Sequence, residues 1–190
     1  MSTAPIHPPV PDCGSQTIVV PRLMHRYKPK AVIDYGCNDG KWLIEFNRLG
    51  ILWMNLMGID VPGMRLHFKG HPLSFMESGH DDTKYCPTNN NETMVLCLEV
   101  LEHVTPQEGD AIIKRICDDL HPGRIVFSAA IPGQGGWGHI NEQPHSHWIQ
   151  KIEAKGYFAD TIIREHLCYP DANRKFVSSW YKNNLIVFSR

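Results

Sequence analysis

The sequence has no cysteine pair at CxxC spacing, no internal repeat, no long apolar run and almost no net charge. Its six cysteines, Cys13, Cys37, Cys86, Cys97, Cys117 and Cys168, are scattered. That argues against a zinc knuckle or a disulfide framework and for reduced thiols in a cytosol-like compartment. Nineteen basic and twenty acidic residues give a formal charge of −1, so no global positive field draws in nucleic acid. The longest pure apolar run, residues 94–98, falls far short of the roughly 20 residues a membrane span needs. The first residues are rich in Pro, Ser and Thr and lack a signal-peptide pattern, so a cytoplasmic protein without membrane attachment is expected. No GxxxxGK[ST] segment occurs, which excludes an NTP-hydrolysing P-loop.

What is present is ordinary globular composition, 42% hydrophobic and 21% charged over 190 residues, enough for one domain. Residues 1–16 carry four prolines and read as a flexible arm, leaving 17–190 as a single domain. The apolar spacing predicts helices over 17–27, 41–49, 107–120 and 144–155. Strand-like runs fall at 31–35, 52–59, 73–76, 94–98, 124–130, 157–163 and 184–188. Strands alternating with helices at this spacing imply βαβ units and a mostly parallel sheet covered on both faces. Ligands of such sheets sit outside the carboxyl ends of the strands, where strand order reverses.

The first strand ends in Asp34-Tyr35-Gly36-Cys37-Asn38-Asp39-Gly40. Gly36 and Gly40 allow close backbone approach to a ligand, and Asn38 is among the few other residues that tolerate a left-handed backbone. The helix opening at Gly40 presents free N–H groups. Asp60 stands twenty residues beyond Gly40, an offset at which an acid accepts hydrogen bonds from ribose hydroxyls.

The pattern Asp34-x-Gly36-Cys37-x-x-Gly40 resembles the first motif of class I S-adenosylmethionine-dependent methyltransferases. Gly58-Ile59-Asp60, the run from Leu96 to His103 (LCLEVLEH) and the run from Phe127 to Pro132 (FSAAIP) continue the resemblance in order. The segment GGWGHINEQ from Gly135 to Gln143 and Trp180-Tyr181-Lys182-x-Asn184 are similar to a branch of small bacterial and viral members. The resemblance runs from about residue 18 to the end. It implies a Rossmann-like, doubly wound, seven-stranded, mostly parallel sheet with an antiparallel last strand. It also implies S-adenosylmethionine as cofactor, with Asp34, Gly36, Asn38 and Gly40 on its methionine side, Asp60 on the ribose, Asp82 beside the adenine and Leu98 on the cofactor wall.

Methyl transfer is an in-line displacement, so alignment of nucleophile, methyl and sulfur is the protein's main task, and a hydroxyl nucleophile must also lose its proton. Glu99, Glu102 and His103 follow the fourth strand, and a helical turn there would put all three on one face. His139 lies in a glycine-rich loop after the fifth. This set resembles that of ubiquinone-pathway O-methyltransferases and small-RNA 2′-O-methyltransferases, in which two carboxylates and two imidazoles hold a divalent ion. The residues leave open a metal (Mg²⁺ or Mn²⁺ on mixed O/N ligation), a metal-free base, or a purely structural role. His145, His147, Trp137, Trp148 and the basic set Arg22, His25, Arg26, Lys28 and Lys30 are further candidates, each with a capping, packing or solvated alternative. With no room for a separate substrate domain, the expected acceptor is a small molecule or a sugar hydroxyl, including a glycan unit. RNA 2′-O-methylation and a catalytically silent cofactor-binding subunit are the alternatives.

Overall fold

The computed structural model describes residues 14–62, 72, 74–78, 90–160, 162–169 and 176–190. Residues 1–13 of the expected arm, and Asp82 with its neighbours, lie outside the described residues. The chain opens with α1 (Ser15–Tyr27), two residues earlier than the apolar spacing indicated. Ser15 is fully buried and its Oγ accepts the Ser178 N–H, so a tertiary contact sets the start. Pro21 consequently falls inside the helix rather than near its start.

Seven strands follow: β1 (Ala31–Tyr35), β2 (Leu56–Asp60), β3 (Ser74–Glu77), β4 (Thr93–Leu98), β5 (Arg124–Ser128), β6 (Phe158–Asp160) and β7 (Ile186–Ser189). Between them stand α2 (Lys41–Arg48), α3 (Pro106–Lys114), α4 (His145–Glu153), α5 (Ile163–Leu167) and α6 (Ser179–Asn184). The order across the sheet is β3-β2-β1-β4-β5-β7-β6, all parallel except β7, which runs antiparallel to both its neighbours. The expected doubly wound sheet with an antiparallel last strand is what the chain forms.

Several boundaries moved for local reasons. The 52–59 run begins with a 3-10 turn at Trp53–Asn55 before β2. The helix at 107–120 starts one residue earlier behind a Thr105–Glu108 capping box and passes into a π-helical stretch at Arg115–Leu120. The 157–163 run stops as a strand at Asp160, whose Oδ1 accepts the Ile163 N–H and so opens α5. The short helix α6 had no periodic signal, and it takes Asn184 out of the last strand.

Alternate side chains of each strand feed two cores, because successive Cβ atoms point to opposite faces. Val32, Leu56, Met94, Leu96, Val126 and Val187 pack against α1, α2 and α5. Ile33, Met57, Val95, Cys97, Ile125 and Phe188 pack against α3 and α4. Cys37, Cys97, Cys117 and Cys168 are buried free thiols, and Cys13 and Cys86 lie outside the described residues.

Beneath β4 and β5 the backbones nearly touch. The Gly123 N–H donates to Asn90 O at 2.6 Å and Thr93 O at 3.1 Å, and a Cβ on Gly123 would lie 2.0 Å from Asn91 O. Gly123→Ala therefore has to displace backbone, and we expect a loss of about 2–4 kcal/mol, near the upper end of single-substitution effects. Gly109→Ala, inside α3, meets only ordinary contacts at 3.6 Å from Asn141 and Trp148, and should gain about 0.5–1 kcal/mol from helix propensity. Thermal unfolding of the two variants checks both signs.

Candidate active site

Strand order reverses at β1, which has β2 on one side and β4 on the other. The chain leaves the carboxyl ends of β1 and β4 in opposite directions and opens a crevice there. The β1 turn is tight: the Gly36 and Cys37 N–H groups donate to Ile59 O at 2.7 and 3.2 Å, and Gly40 N–H to Cys37 O at 2.8 Å. Gly36, Asn38 and Gly40 all have positive φ, 80°, 44° and 69°. A Cβ on Gly36 would lie 2.3 Å from Val100 Cγ2, so the loop after β4 presses directly on this turn. Close approach of protein, as well as of ligand, accounts for that glycine.

Asp60 stands at the end of β2 beside the turn. Its Oδ2 accepts the Asn38 N–H and its Oδ1 the Val61 N–H, both at 2.7 Å. The carboxylate sits on the rim of the cradle, half-buried, and is oriented by the cradle's own backbone. Asp34 lies deeper, 2% exposed, and its Oδ2 is buried without a hydrogen-bond partner. Burial, reinforced by the negative charges of Asp60 and Asp39, pushes its carboxyl up to about 8. Three carboxylates thus gather round one turn, with Lys41 paired to Asp39 at 2.8 Å. Leu98 closes β4, paired with Ser128 of β5.

The second group of candidates sits at the ends of β4 and β5. Glu99 has a left-handed backbone, φ 55°, and its N–H donates to Ser128 O at 2.9 Å. The helical turn expected from Glu99 is instead a 3-10 turn over Leu101–His103, so Glu99 falls outside it. Its carboxyl faces Glu102, Ser128 and Asn184, and burial raises its pKa. Glu102 is fully buried; its Oε1 accepts the Ala130 N–H at 3.2 Å, and Oε2 has no partner. Burial, and then the charge of Glu99, holds its carboxyl well above the usual range.

The loop after β5 folds back over this turn. The Ile140 and Asn141 N–H groups donate to Glu102 O at 2.8 and 3.1 Å, and Asn141 Nδ2 donates to Leu101 O at 3.0 Å. These bonds bring His139 against His103, ring centroids 4.8 Å apart at 81°. Glu102, His103 and His139 each offer a ligand atom within 4.8 Å of the others; Glu99 does not join them. A carboxylate oxygen and two imidazole nitrogens at this spacing, with one buried carboxylate oxygen lacking a partner, suit a divalent cation.

Glu142 was missed by the sequence reading. Its carboxylate accepts from Gly133 N, Gly135 N and His139 Nδ1, each at 2.8 Å. The only sequence signal was a carboxylate three residues past a histidine in a glycine-rich loop. Of the other candidates, Trp148 is core and Trp137 is 46% exposed on the His139 loop. His145 Nε2 meets Asn184 Oδ1 at 3.2 Å, and the His147 ring stacks edge-on against Trp148. Arg22 is held by the carbonyls of Leu167 and Tyr169, and Arg26 by Tyr27 and Asp160, away from the crevice residues.

A reversed-order, mostly parallel sheet with an acidic, glycine-bearing turn at its switch point is the architecture of a cofactor-binding α/β domain. Residues 19–174 match the family described as "Methyltransferase domain", and the chain belongs to that family. Small RNA 2′-O-methyltransferases of Rattus norvegicus and Mus musculus are each 25% identical over 121 residues, 56% of this chain and 30% of theirs. The chain thus matches under a third of the length of those relatives. The methyltransferase domain of bacterial CtHen1-C superposes with a TM-score of 0.62 at 17% identity, covering 93% of this chain and 98% of that one. Magnesium protoporphyrin IX methyltransferase from Synechocystis PCC 6803, solved with bound SAH, gives 0.60 at 18% identity, covering 94% and 84%. Among the described residues no helix is long and apolar enough to cross a membrane.

Asp34 supplies a prediction that needs no ligand. Its folded-state pKa lies above its unfolded one, so the stability it contributes is complete below about pH 4 and is lost as pH rises towards 8. Asp34→Asn removes that titration. Its melting temperature should therefore rise relative to the parent protein between pH 5 and pH 8.5, by a few degrees, on the order of 1–2 kcal/mol. Parallel melting curves for the two proteins would reject this reading of the cradle.

Proposed function

We propose that this domain transfers the methyl group of S-adenosylmethionine to a hydroxyl of a sugar or small metabolite, with a glycan unit among the candidates. The observation that carries the reading is the convergence of Glu102, His103 and His139 beside the cofactor cradle. The cradle suits the donor's charge. Asp34, Asp39 and Asp60 concentrate negative potential where a sulfonium and an ammonium would lie, and a cation there gives the orphaned Asp34 oxygen a reason to ionise. Asp34, Gly36, Asn38 and Gly40 would line the methionine end, Asp60 the ribose, and Leu98 the wall between β1 and β4.

In the transfer, the acceptor oxygen forms a bond to the methyl carbon as the carbon–sulfur bond breaks. The sulfonium leaves as a neutral thioether, and the acceptor proton passes to His103 or His139. With Mg²⁺ or Mn²⁺ held by Glu102, His103 and His139 the imidazole lone pairs would be engaged, and the ion would stand in for that base by lowering the pKa of the acceptor hydroxyl, whose proton would pass to solvent. Glu99, behind Glu102, would shape the carboxylate pair rather than contact the ion. Trp137 and Ile140, exposed on the His139 loop, offer an apolar face to an acceptor ring. A second reading, methylation of an RNA ribose 2′-hydroxyl, is favoured by the similarity to small RNA 2′-O-methyltransferases and opposed by the net charge of −1.

Calorimetry should show binding of S-adenosylhomocysteine and none of NADH. Asp34→Asn should weaken S-adenosylmethionine about 10-fold or more, the worth of one charge-assisted hydrogen bond. Glu102→Gln and His103→Ala should leave S-adenosylhomocysteine affinity unchanged. They should lower Mn²⁺ affinity at least tenfold and methyl transfer about 10²–10⁴-fold. The acceptors to test are a panel of oligosaccharides, ribonucleosides and RNA, with radiolabelled methyl as readout. Unchanged Mn²⁺ binding and unchanged transfer in both variants would overturn the roles given to these residues, whereas no transfer to any acceptor by a domain that binds S-adenosylhomocysteine would favour a silent cofactor-binding subunit. Transfer confined to RNA would replace the first reading by the second.

A further inference from the structure

We propose that Glu142 is the positioning residue of this site. By accepting the proton on Nδ1 of His139 it fixes one tautomer of the imidazole and leaves Nε2 as an electron-pair donor. The inference rests on the proposed function for what Nε2 serves, but the tautomer itself follows from the hydrogen bonds.

An ionised carboxylate only accepts. Glu142 Oε2 takes the Gly133 N–H, and Oε1 takes both the Gly135 N–H and His139 Nδ1, each at 2.8 Å. Two of the three partners are backbone amides, which can only donate, so the carboxylate is committed as an acceptor and Nδ1 has to carry the hydrogen. In a neutral imidazole the lone pair then resides on Nε2. Gly136 packs on the same imidazole: a Cβ there would lie 2.3 Å from Nε2, 2.4 Å from Cε1 and 2.8 Å from Cδ2, over the face of the ring, so any side chain at 136 would push the imidazole out of place. The same carboxylate therefore ties down the turn that places Gly136 and orients the imidazole facing it. Outer partners of this kind govern both the orientation and the basicity of an imidazole ligand.

Two substitutions separate this role from a merely structural one. Glu142→Gln keeps the volume, but its amide nitrogen can donate to Nδ1 and so stabilise the opposite tautomer. Gly136→Ala leaves Glu142 in place and crowds the ring face, which shifts the imidazole without giving Nδ1 a new partner. Nitrogen chemical shifts of ¹⁵N-histidine-labelled, metal-free protein report the tautomer, with the His139 signals assigned by their loss in His139→Asn. Mn²⁺ affinity is read by electron paramagnetic resonance, and S-adenosylhomocysteine affinity by calorimetry reports an intact domain.

The parent protein should show His139 protonated at Nδ1. Glu142→Gln should shift it towards Nε2–H and weaken Mn²⁺ about 10–100-fold, with S-adenosylhomocysteine binding within twofold of the parent. Gly136→Ala should weaken Mn²⁺ without changing the tautomer. An Nε2–H tautomer in the parent, or one unchanged by Glu142→Gln in a domain that still binds S-adenosylhomocysteine, overturns the proposal. If the parent binds no Mn²⁺ at all, the metal-assisted part of the proposed function falls, while the nitrogen shifts still decide the role of Glu142.

Discussion

The loop after β4 can lie on the turn after β1 only because residue 36 has no side chain. Val100 Cγ2 occupies the place a Cβ would take, and that contact fixes the distance between the two halves of the crevice. The cradle belongs to β1 and β2, while the carboxylate–imidazole cluster belongs to β4 and β5. Nothing in the sheet hydrogen bonds alone sets how their loops meet above the strand ends. A methyl transfer tolerates little error in that distance, since the nucleophile, carbon and sulfur have to be in line within a fraction of an ångström. The same turn is braced from the other side, where Gly58 leaves room for Cys37 Sγ, 2.7 Å from where its Cβ would stand.

Around this joint the protein accumulates buried acids that its own interior does not satisfy. Asp34, Glu99 and Glu102 each keep a buried carboxylate oxygen without a partner. An unpaired buried charge is costly enough that each is pushed towards its neutral form. Core residues chosen for stability would not look like this. Two groups of acids, one beside a bent backbone and one beside two imidazoles, are what a site would hold in waiting for two different positive charges. On the proposed function those charges would be the donor's sulfonium and a divalent ion, and buried acids perturbed in this way mark candidate functional sites.

Much of this was legible in the sequence, and the reasons are specific. β4 reads as apolar throughout because it is buried on both faces, and the short apolar run that opens β1 follows from the same burial. The β1 turn was legible because its three left-handed positions carry Gly, Asn and Gly. Asp60 was legible because a βαβ unit fixes its offset from the turn. What escaped depends on contacts between distant segments. Residue 99 is left-handed though it is a glutamate, so side-chain spacing suggested one face for Glu99, Glu102 and His103 where the backbone makes two. His139 reaches His103 through hydrogen bonds from the Ile140 and Asn141 N–H groups to the carbonyl of Glu102, and a carbonyl looks the same in every residue. The short helix α6 is set by Asn184, buried beside Glu99 and His145, and carries no apolar period of its own.

The way the His139 loop is held also limits what can vary. Its inner side is anchored to backbone by Ile140, Asn141 and the carboxylate of Glu142, so those positions are bound to the chemistry at the strand ends. Its outer side, from Gly133 to Trp137, is exposed, yet Gly133 and Gly135 donate to Glu142 and Gln134 Oε1 accepts from Asn184 Nδ2, so only the outward side chains are unconstrained. A loop clamped on one side and open on the other can change its acceptor contacts without moving the imidazole. On the proposed function the loop would separate reaction from specificity within a stretch of about ten residues, as expected for functional loops carried on a rigid scaffold. What the chain holds in common with the methyltransferase structures it superposes on, at below 20% identity, is the fold.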